Sequence, residues 1–430
     1  MSFWSICPIV ILFLLFFLKV PVAYAMIASA ASYFLFSPQD LEITMMIQKM
    51  VSANSSFTYL AIPFFTMSGV VFNYAGITER MLDLADCLVG HMTGGMAQVN
   101  VLLSTMMGGL SGSANADAAL EAKMLVPEME RRGFDRAFSC VVTAASSCIT
   151  PIVPPGIILI LYASASNVSV ARMFYAGYIP GFVICVMMMA LTWLISKKRG
   201  YKGSREKMVG MKAFLRALRN AAWALVIPLG IIMGLRFGWF TPTEAGAICV
   251  LYSLFVGIFI YKDLRKEHFK PILMESITAT AGVMFILAGA QAFGQYLTWE
   301  RLPNMVTELI MSGVNSKYVF LLVVNILLLV VGCFFDGGAA MILLAPLLVP
   351  AAESFGVDLI HFGIVLAINL TIAGITPPFG SQMFVTTSVT DVTIEEYAKE
   401  SIPYITMMIG ALLLMTFVPQ IVMFLPNLLA

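Results

Sequence analysis

Two glycine-rich interruptions hold the residues best suited to chemistry in this chain. One reads Gly108-Gly109-Leu110-Ser111-Gly112-Ser113-Ala114-Asn115-Ala116-Asp117, the other Gly332-Cys333-Phe334-Phe335-Asp336-Gly337-Gly338. Asp336 is the only charged residue between Tyr318 and Ala352. An ionisable group inside so apolar a run is expensive and is usually functional. Two proline breaks follow the interruptions: Ile149-Thr150-Pro151-Ile152-Val153-Pro154-Pro155-Gly156 and Gly374-Ile375-Thr376-Pro377-Pro378-Phe379-Gly380. A proline lacks the N–H donor and displaces the carbonyl four residues back, so a helix unwinds at a proline pair. Freed carbonyls, with Ser and Thr hydroxyls, are hard oxygen ligands suited to Na⁺. The helix N-termini that restart after a break carry partial positive charge and favour anions. The chemistry on offer is therefore binding of a cation and an anion.

The other chemistries are poorly supplied. The seven cysteines stand singly in apolar stretches, and His91, His268 and His361 are far apart. Neither a disulfide framework nor a zinc site is indicated, and no Ser/His or paired-Asp dyad points to an intramembrane hydrolase. The net charge of +1 excludes a global basic field for nucleic acid.

The elements that position these breaks belong in a lipid bilayer. Sixty per cent of the 430 residues are hydrophobic and 11% are charged, against about 25% charged in a soluble chain. Mean hydropathy is +0.91. The opening stretch from Phe3 to Leu18 has no preceding positive residue and no cleavage site, so it is read as a retained transmembrane helix. A continuous helix from Tyr318 to Ala352 would be about 50 Å long, beyond the roughly 30 Å hydrocarbon core. A re-entrant hairpin with its tip at the break fits better, since irregular backbone is tolerated only against protein or a wet cavity. Residues 137–171 and 359–390 contain no Asp, Glu, Lys or Arg, so these two broken helices cross the membrane.

Sliding the chain on itself by 223 residues aligns both kinds of break. Gly109 falls on Gly332, Leu125-Val126-Pro127 on Leu348-Val349-Pro350, Pro154-Pro155 on Pro377-Pro378, and Pro180 on Pro403. A fainter match, at a slightly different offset, sets Pro21 on Pro242. Basic clusters at Arg131–Arg136, Lys197–Arg219 and Lys262–Lys270 are placed in the cytoplasm by the positive-inside rule. The acidic loop Glu353–Asp358, the repeat partner of Arg131–Arg136, then lies in the periplasm, and the halves have opposite topology. Both chain ends are expected in the periplasm. The fold predicted is an all-α integral membrane protein of two inverted repeats. The first spans 1–215, with a hairpin at about 92–130 and a broken helix at about 137–165. The second spans 216–430, with a hairpin at about 315–352 and a broken helix at about 357–387. Inverted repeats with matched interruptions are a signature of secondary transporters.

Five strings occur in order along the chain: SGSANAD (111–117), LVPEMERRGFD (125–135), VPPG (153–156), FTPTEAG (240–246) and ITPPFG (375–380). Together they resemble the large membrane subunit of tripartite ATP-independent periplasmic (TRAP) transporters, over essentially the whole chain. The resemblance implies an elevator-type architecture of the ion-transporter superfamily in the bacterial inner membrane, with Na⁺ as coupling ion and no organic cofactor. Its partners would be a small four-helix membrane subunit, expected here as a separate polypeptide, and a periplasmic substrate-binding protein. One sodium site would use Ser111, Ser113, Thr150, Val153 and Pro155, and the other Gly332, Ala373, Thr376 and Phe379. Thr150 and Gly156 stand where many relatives have Gly and Ser. Asn115, Asp117, Asp336 and Gly337 are the candidate substrate contacts. The function implied is sodium-coupled uptake of a small organic anion, such as sialic acid or a C4-dicarboxylate. The alternative is a self-sufficient Na⁺/di- or tricarboxylate symporter of related architecture.

Overall fold

The computed structural model describes residues 3–18, 20–37, 42–314 and 316–429. Asn315, at the expected start of the second hairpin, lies outside them. The described residues form helices and no strand. The first half runs through α1 (Phe3–Phe17), α2 (Val22–Phe36), α3 (Ile43–Asn54), α4 (Ala61–Tyr74), α5 (Ile77–Val89), α6 (Gly95–Gly108), α7 (Ala114–Arg131), α8 (Arg136–Ser147), α9 (Ile157–Ala165) and α10 (Val170–Arg199). The second runs through α11 (Met211–Arg236), α12 (Pro242–Phe255), α13 (Phe269–Trp299), α14 (Leu302–Gly313), α15 (Lys317–Gly332), α16 (Gly337–Ser354), α17 (Leu359–Ile375), α18 (Ser381–Thr390), α19 (Ile394–Phe417) and α20 (Pro419–Leu429). Among the described residues six helices are long and apolar enough to cross a membrane, or seven spans if α4 and α5, bent by 72° at their break, count as one. Lys212, Arg216 and Arg219, expected in a cytoplasmic loop, instead stand on the first turns of α11, so the loop itself is only 200–210.

The breaks fall where the prolines and glycines stand. The α6–α7 turn covers 109–113 and the α15–α16 turn 333–336, while α8–α9 and α17–α18 part at the proline pairs. Both bounds of α16 lie 223 residues beyond those of α7 (337 minus 114, 354 minus 131). Local chemistry sets the starts. Ser113 caps α7, Asp336 caps α16 and Asp358 caps α17, each oxygen accepting an N–H that has no partner within the helix. Glu244 of FTPTEAG accepts from the Thr241 N–H at 2.7 Å while Thr241 caps α12, a capping box that gives this motif a structural role.

Helices pack into two groups. In one, α13 lies against α2, α3 and α4, α12 against α4, and α11 against α5. In the other, α7 packs on α8 and α18, α15 and α16 on α17, and α10 on α6, α17 and α19. Both hairpins and both broken helices thus share the second group, which meets the first where α13 packs on α16 and α5 on α6. The arms of each hairpin are tied to the broken helix beside them by buried amides. Asn100 of α6 donates to the Thr143 hydroxyl at 2.6 Å and accepts from Ser146 at 2.9 Å. Asn369 of α17 donates to Asn325 of α15 at 2.7 Å, and Asn325 donates to Thr416 of α19 at 3.0 Å. Removing Asn325 leaves buried polar partners unpaired, at a cost of about 1–3 kcal/mol. Asn325→Leu is therefore expected to lower the thermal unfolding midpoint of the purified protein. An unchanged midpoint would show that the amide network adds nothing to stability.

A second set of contacts gathers the end of α10 and the start of α19. Arg199 pairs with both Glu400 oxygens at 2.8 Å and with Asp135 at 3.2 Å. Tyr201 donates to the same Asp135 carboxylate at 2.5 Å. Burial, then the hydrogen bond to Asp135, raises the Tyr201 hydroxyl above its usual value, so it stays a donor. These contacts join α10 and α19, the last long helices of the two halves.

Candidate functional site

The first hairpin tip is pressed against the first proline break. A Cβ built on Gly112 would stand 2.3 Å from the Pro155 carbonyl oxygen, and one on Gly108 would stand 2.7 Å from the Val153 Cβ. The Ile157 N–H donates to the Gly112 carbonyl at 3.3 Å. Ser111, Thr150, Val153 and Pro155 are thereby brought together and buried. No backbone N–H among the described residues donates to the carbonyls of Thr150, Val153 or Pro155. The buried Ser111 hydroxyl likewise has no partner among them. Ser113 is half-buried and caps α7 through a long 3.5 Å contact with the Ala116 N–H. Unclaimed neutral oxygens in one buried spot fit an alkali cation. No cluster of three His, Cys, Asp or Glu occurs among the described residues, so the donor set does not resemble that of a transition metal.

The second tip and second break meet in the same way. A Cβ on Gly332 would lie 2.6 Å from the Ala373 Cβ. Thr376 closes α17, its N–H donating to Ala373 and its hydroxyl to the Ile372 carbonyl at 2.8 Å. That bond uses the hydroxyl hydrogen and leaves the oxygen lone pairs. Phe379 is exposed, its ring tilted against Phe334 of the tip with centroids 5.3 Å apart. Here the Ala373 and Thr376 carbonyls each already accept one backbone N–H, so the two breaks are not equivalent. Pro154–Pro155 and Pro377–Pro378 are both cis.

The tips also meet each other. Asn115 donates to Asp336 at 3.3 Å, while the other Asp336 oxygen accepts from the Gly338 N–H at 3.0 Å. Between them opens a cavity of about 200 Å³, lined by Ser113, Asn115, Asp336, Gly337, Ser381 and Gln382 on its polar side and by Ile158, Leu161, Val283 and Ile286 on its apolar side. Asp336 is solvent-exposed here rather than sealed in hydrocarbon, so the desolvation expected from its apolar flanks is relieved by the cavity. Asp117 is placed differently from the other three substrate candidates. It is buried, takes the Thr150 hydroxyl at 2.6 Å, and lines a separate cavity of about 130 Å³ beside Ser111. Glu121, one turn further along α7, is also buried and accepts from Ser104 at 2.6 Å. Its four-residue spacing from Asp117 puts both on one face. Sequence reading passed over Ser104 and Gln382. The cue for Gln382 is the repeat register, which sets it opposite Leu159.

The comparisons with known proteins address the whole chain. The family model described as the DctM component of the tripartite ATP-independent periplasmic transporter matches residues 9–421. The chain belongs to the TRAP transporter large permease family. It is therefore a multi-pass inner-membrane transport subunit. It is 37% identical over 418 residues to the sialic acid TRAP transporter large permease protein SiaM of Vibrio cholerae, covering 96% of each chain. It is 34% identical over 401 residues to the C4-dicarboxylate large permease DctM of Pseudomonas aeruginosa, covering 93% of each. The sialic acid permease SiaT of Haemophilus influenzae is 34% identical over 97% of this chain, with 67% of that longer chain covered. Among solved structures, the YdaH transporter of Alcanivorax borkumensis superposes with a TM-score of 0.63 over 96% of this chain and 98% of the other, at 13% identity. At that identity the likeness shows the fold alone.

Proposed function

We propose that this TRAP large permease carries out sodium-coupled uptake of a small organic anion handed over by a periplasmic binding protein, with a small membrane subunit alongside. The observation that carries this reading is the joining of the two tips, Asn115 to Asp336, over one cavity. The N-terminus of α7, capped by the neutral Ser113 hydroxyl, begins at its edge, a setting that favours an anionic group. The relatives named for sialic acid and C4-dicarboxylates support carboxylates as the class of cargo. Sodium would be held by Ser111, Ser113 and the carbonyls of Thr150, Val153 and Pro155 at one break. At the other it would be held by Gly332, Ala373, Thr376 and Phe379. The cavity wall includes Val283 and Ile286 of α13, from the other packing group. Sliding of one group past the other would expose it alternately to each side, as an elevator.

The test is Na⁺-gradient-driven uptake in proteoliposomes, with and without the small subunit and candidate binding proteins. Uptake that needs neither partner would favour the self-sufficient symporter. Uptake indifferent to Na⁺ would overturn the coupling. Within that assay, Thr376→Val keeps the shape and removes an oxygen. An ion that loses one ligand oxygen is then under-coordinated, and the apparent Na⁺ affinity is expected to fall about tenfold, the equivalent of roughly 1.4 kcal/mol. Thr406→Val is the control, since Thr406 is exposed and donates only to the Ile402 carbonyl. Thr416, although distant in sequence, is buried against Asn325 and is unsuitable. Superimposable Na⁺ curves for the two variants would remove Thr376 from the site.

A further inference from the structure

Gln382 opens α18 on the polar side of the tip-to-tip cavity and is 4% exposed. In the repeat register, residues 158 and 159 of the first half are Ile and Leu, while 381 and 382 of the second are Ser and Gln. A buried amide in place of a leucine is costly unless its hydrogen bonds are made. The amide oxygen lies 3.5 Å from the Cys148 thiol. The amide nitrogen donates to no atom among the described residues. Its position is held from below, since a Cβ on Gly374 would come within 2.5 Å of the Gln382 oxygen. An amide laid over the backbone of the break, in the cavity wall and with no acceptor for its NH₂ among the described residues, lacks an acceptor that a ligand can supply.

The charge of the cavity says what kind of acceptor. Among the described residues Asp336 is the only charged one lining it, with no Lys, Arg or His. The α16 N-terminus is already answered by the Asp336 carboxylate. A carboxylate cargo must therefore be met by neutral donors, while Asp336 repels a second carboxylate and accepts from hydroxyls. We propose that Gln382 is a cargo-selecting residue, donating its amide N–H to the carboxylate of a hydroxylated monocarboxylate whose hydroxyls face Asp336. This rests on the transport function proposed above.

The test measures thermal protection of the detergent-solubilised complex of large and small subunits in saturating Na⁺, with D-gluconate, N-acetylneuraminate and succinate as probes. Ligands that bind the folded state protect it by mass action. At least one of the two hydroxylated acids is expected to protect at about tenfold lower concentration than succinate. Gln382→Met, similar in shape but without donors, is expected to weaken that protection about tenfold or more, as for a lost hydrogen bond to a charged group. Gln382→Glu is expected to do the same or worse. Protection by Na⁺ alone should be unchanged in both variants, which reports that they fold. Wild-type protection by gluconate or N-acetylneuraminate retained in Gln382→Met would overturn the role of Gln382. Equal protection by succinate, or none by any acid, would overturn the cargo class. Absence of Na⁺ protection in the wild type would count against sodium coupling and leave the acid comparison to decide Gln382.

Discussion

Gly112→Ala is expected to abolish Na⁺-driven uptake while the protein still reaches the membrane. Gly112 has φ of +62°, in the left-handed region where a side chain costs about 1–2 kcal/mol. The contact adds to this, because the new methyl would stand 2.3 Å from the Pro155 carbonyl oxygen. That atom is backbone, held in a proline pair, and cannot swing aside as a side-chain end would. The tip must withdraw, and the Ile157-to-Gly112 hydrogen bond and the oxygens around Ser111 separate with it. A loss of about 3 kcal/mol in the assembled site corresponds to about a hundredfold fall in uptake at limiting Na⁺. Gly133→Ala isolates the contact from the strain. Gly133 also has positive φ, +84°, and nothing lies within 4 Å of its would-be Cβ. Uptake by the two variants, normalised to membrane abundance, should differ sharply. Similar uptake would mean that the meeting of tip and break has no part in transport.

The second large effect is expected at Asp336. Asparagine caps helices about as well as aspartate, so Asp336→Asn should keep the start of α16 and leave stability near that of the wild type. Uptake should still fall at least about tenfold. With the amide oxygen on the Gly338 N–H, the amide nitrogen faces Asn115, whose unpartnered oxygen can turn to accept it, so the tips keep at most a neutral bond and lose the charge-assisted one, worth about 1.4 kcal/mol or more. Adding Asn115→Asp to Asp336→Asn restores a carboxylate facing an amide N–H and should recover part of the uptake. Asp336→Ala should lose both uptake and about 1 kcal/mol of stability through the missing cap. Normal uptake with unchanged Na⁺ dependence in Asp336→Asn would assign Asp336 to capping alone.

The paired interruptions were legible because proline and glycine act through the backbone of their own segment. Pro154-Pro155 and Pro377-Pro378 end a helix whatever surrounds them, so the breaks and their common offset of 223 residues stand in the sequence and recur in the bounds of α7 and α16. Family membership was legible for a related reason, since strings such as SGSANAD and ITPPFG mark these same local geometries. The partners of polar groups were not legible. Asp117 reaches Thr150, 33 residues on, and Asn115 reaches Asp336, 221 residues on. In a soluble protein, hydropathy period separates inner from outer faces. In a bilayer, lipid and protein neighbours are equally apolar, and that separation is lost. Leu159 and Gln382 stand on apolar helices that composition cannot orient. The buried state of Glu121, the exposure of Asp336 to a cavity and the free amide of Gln382 follow from which helices lie side by side. Tertiary packing alone supplies that.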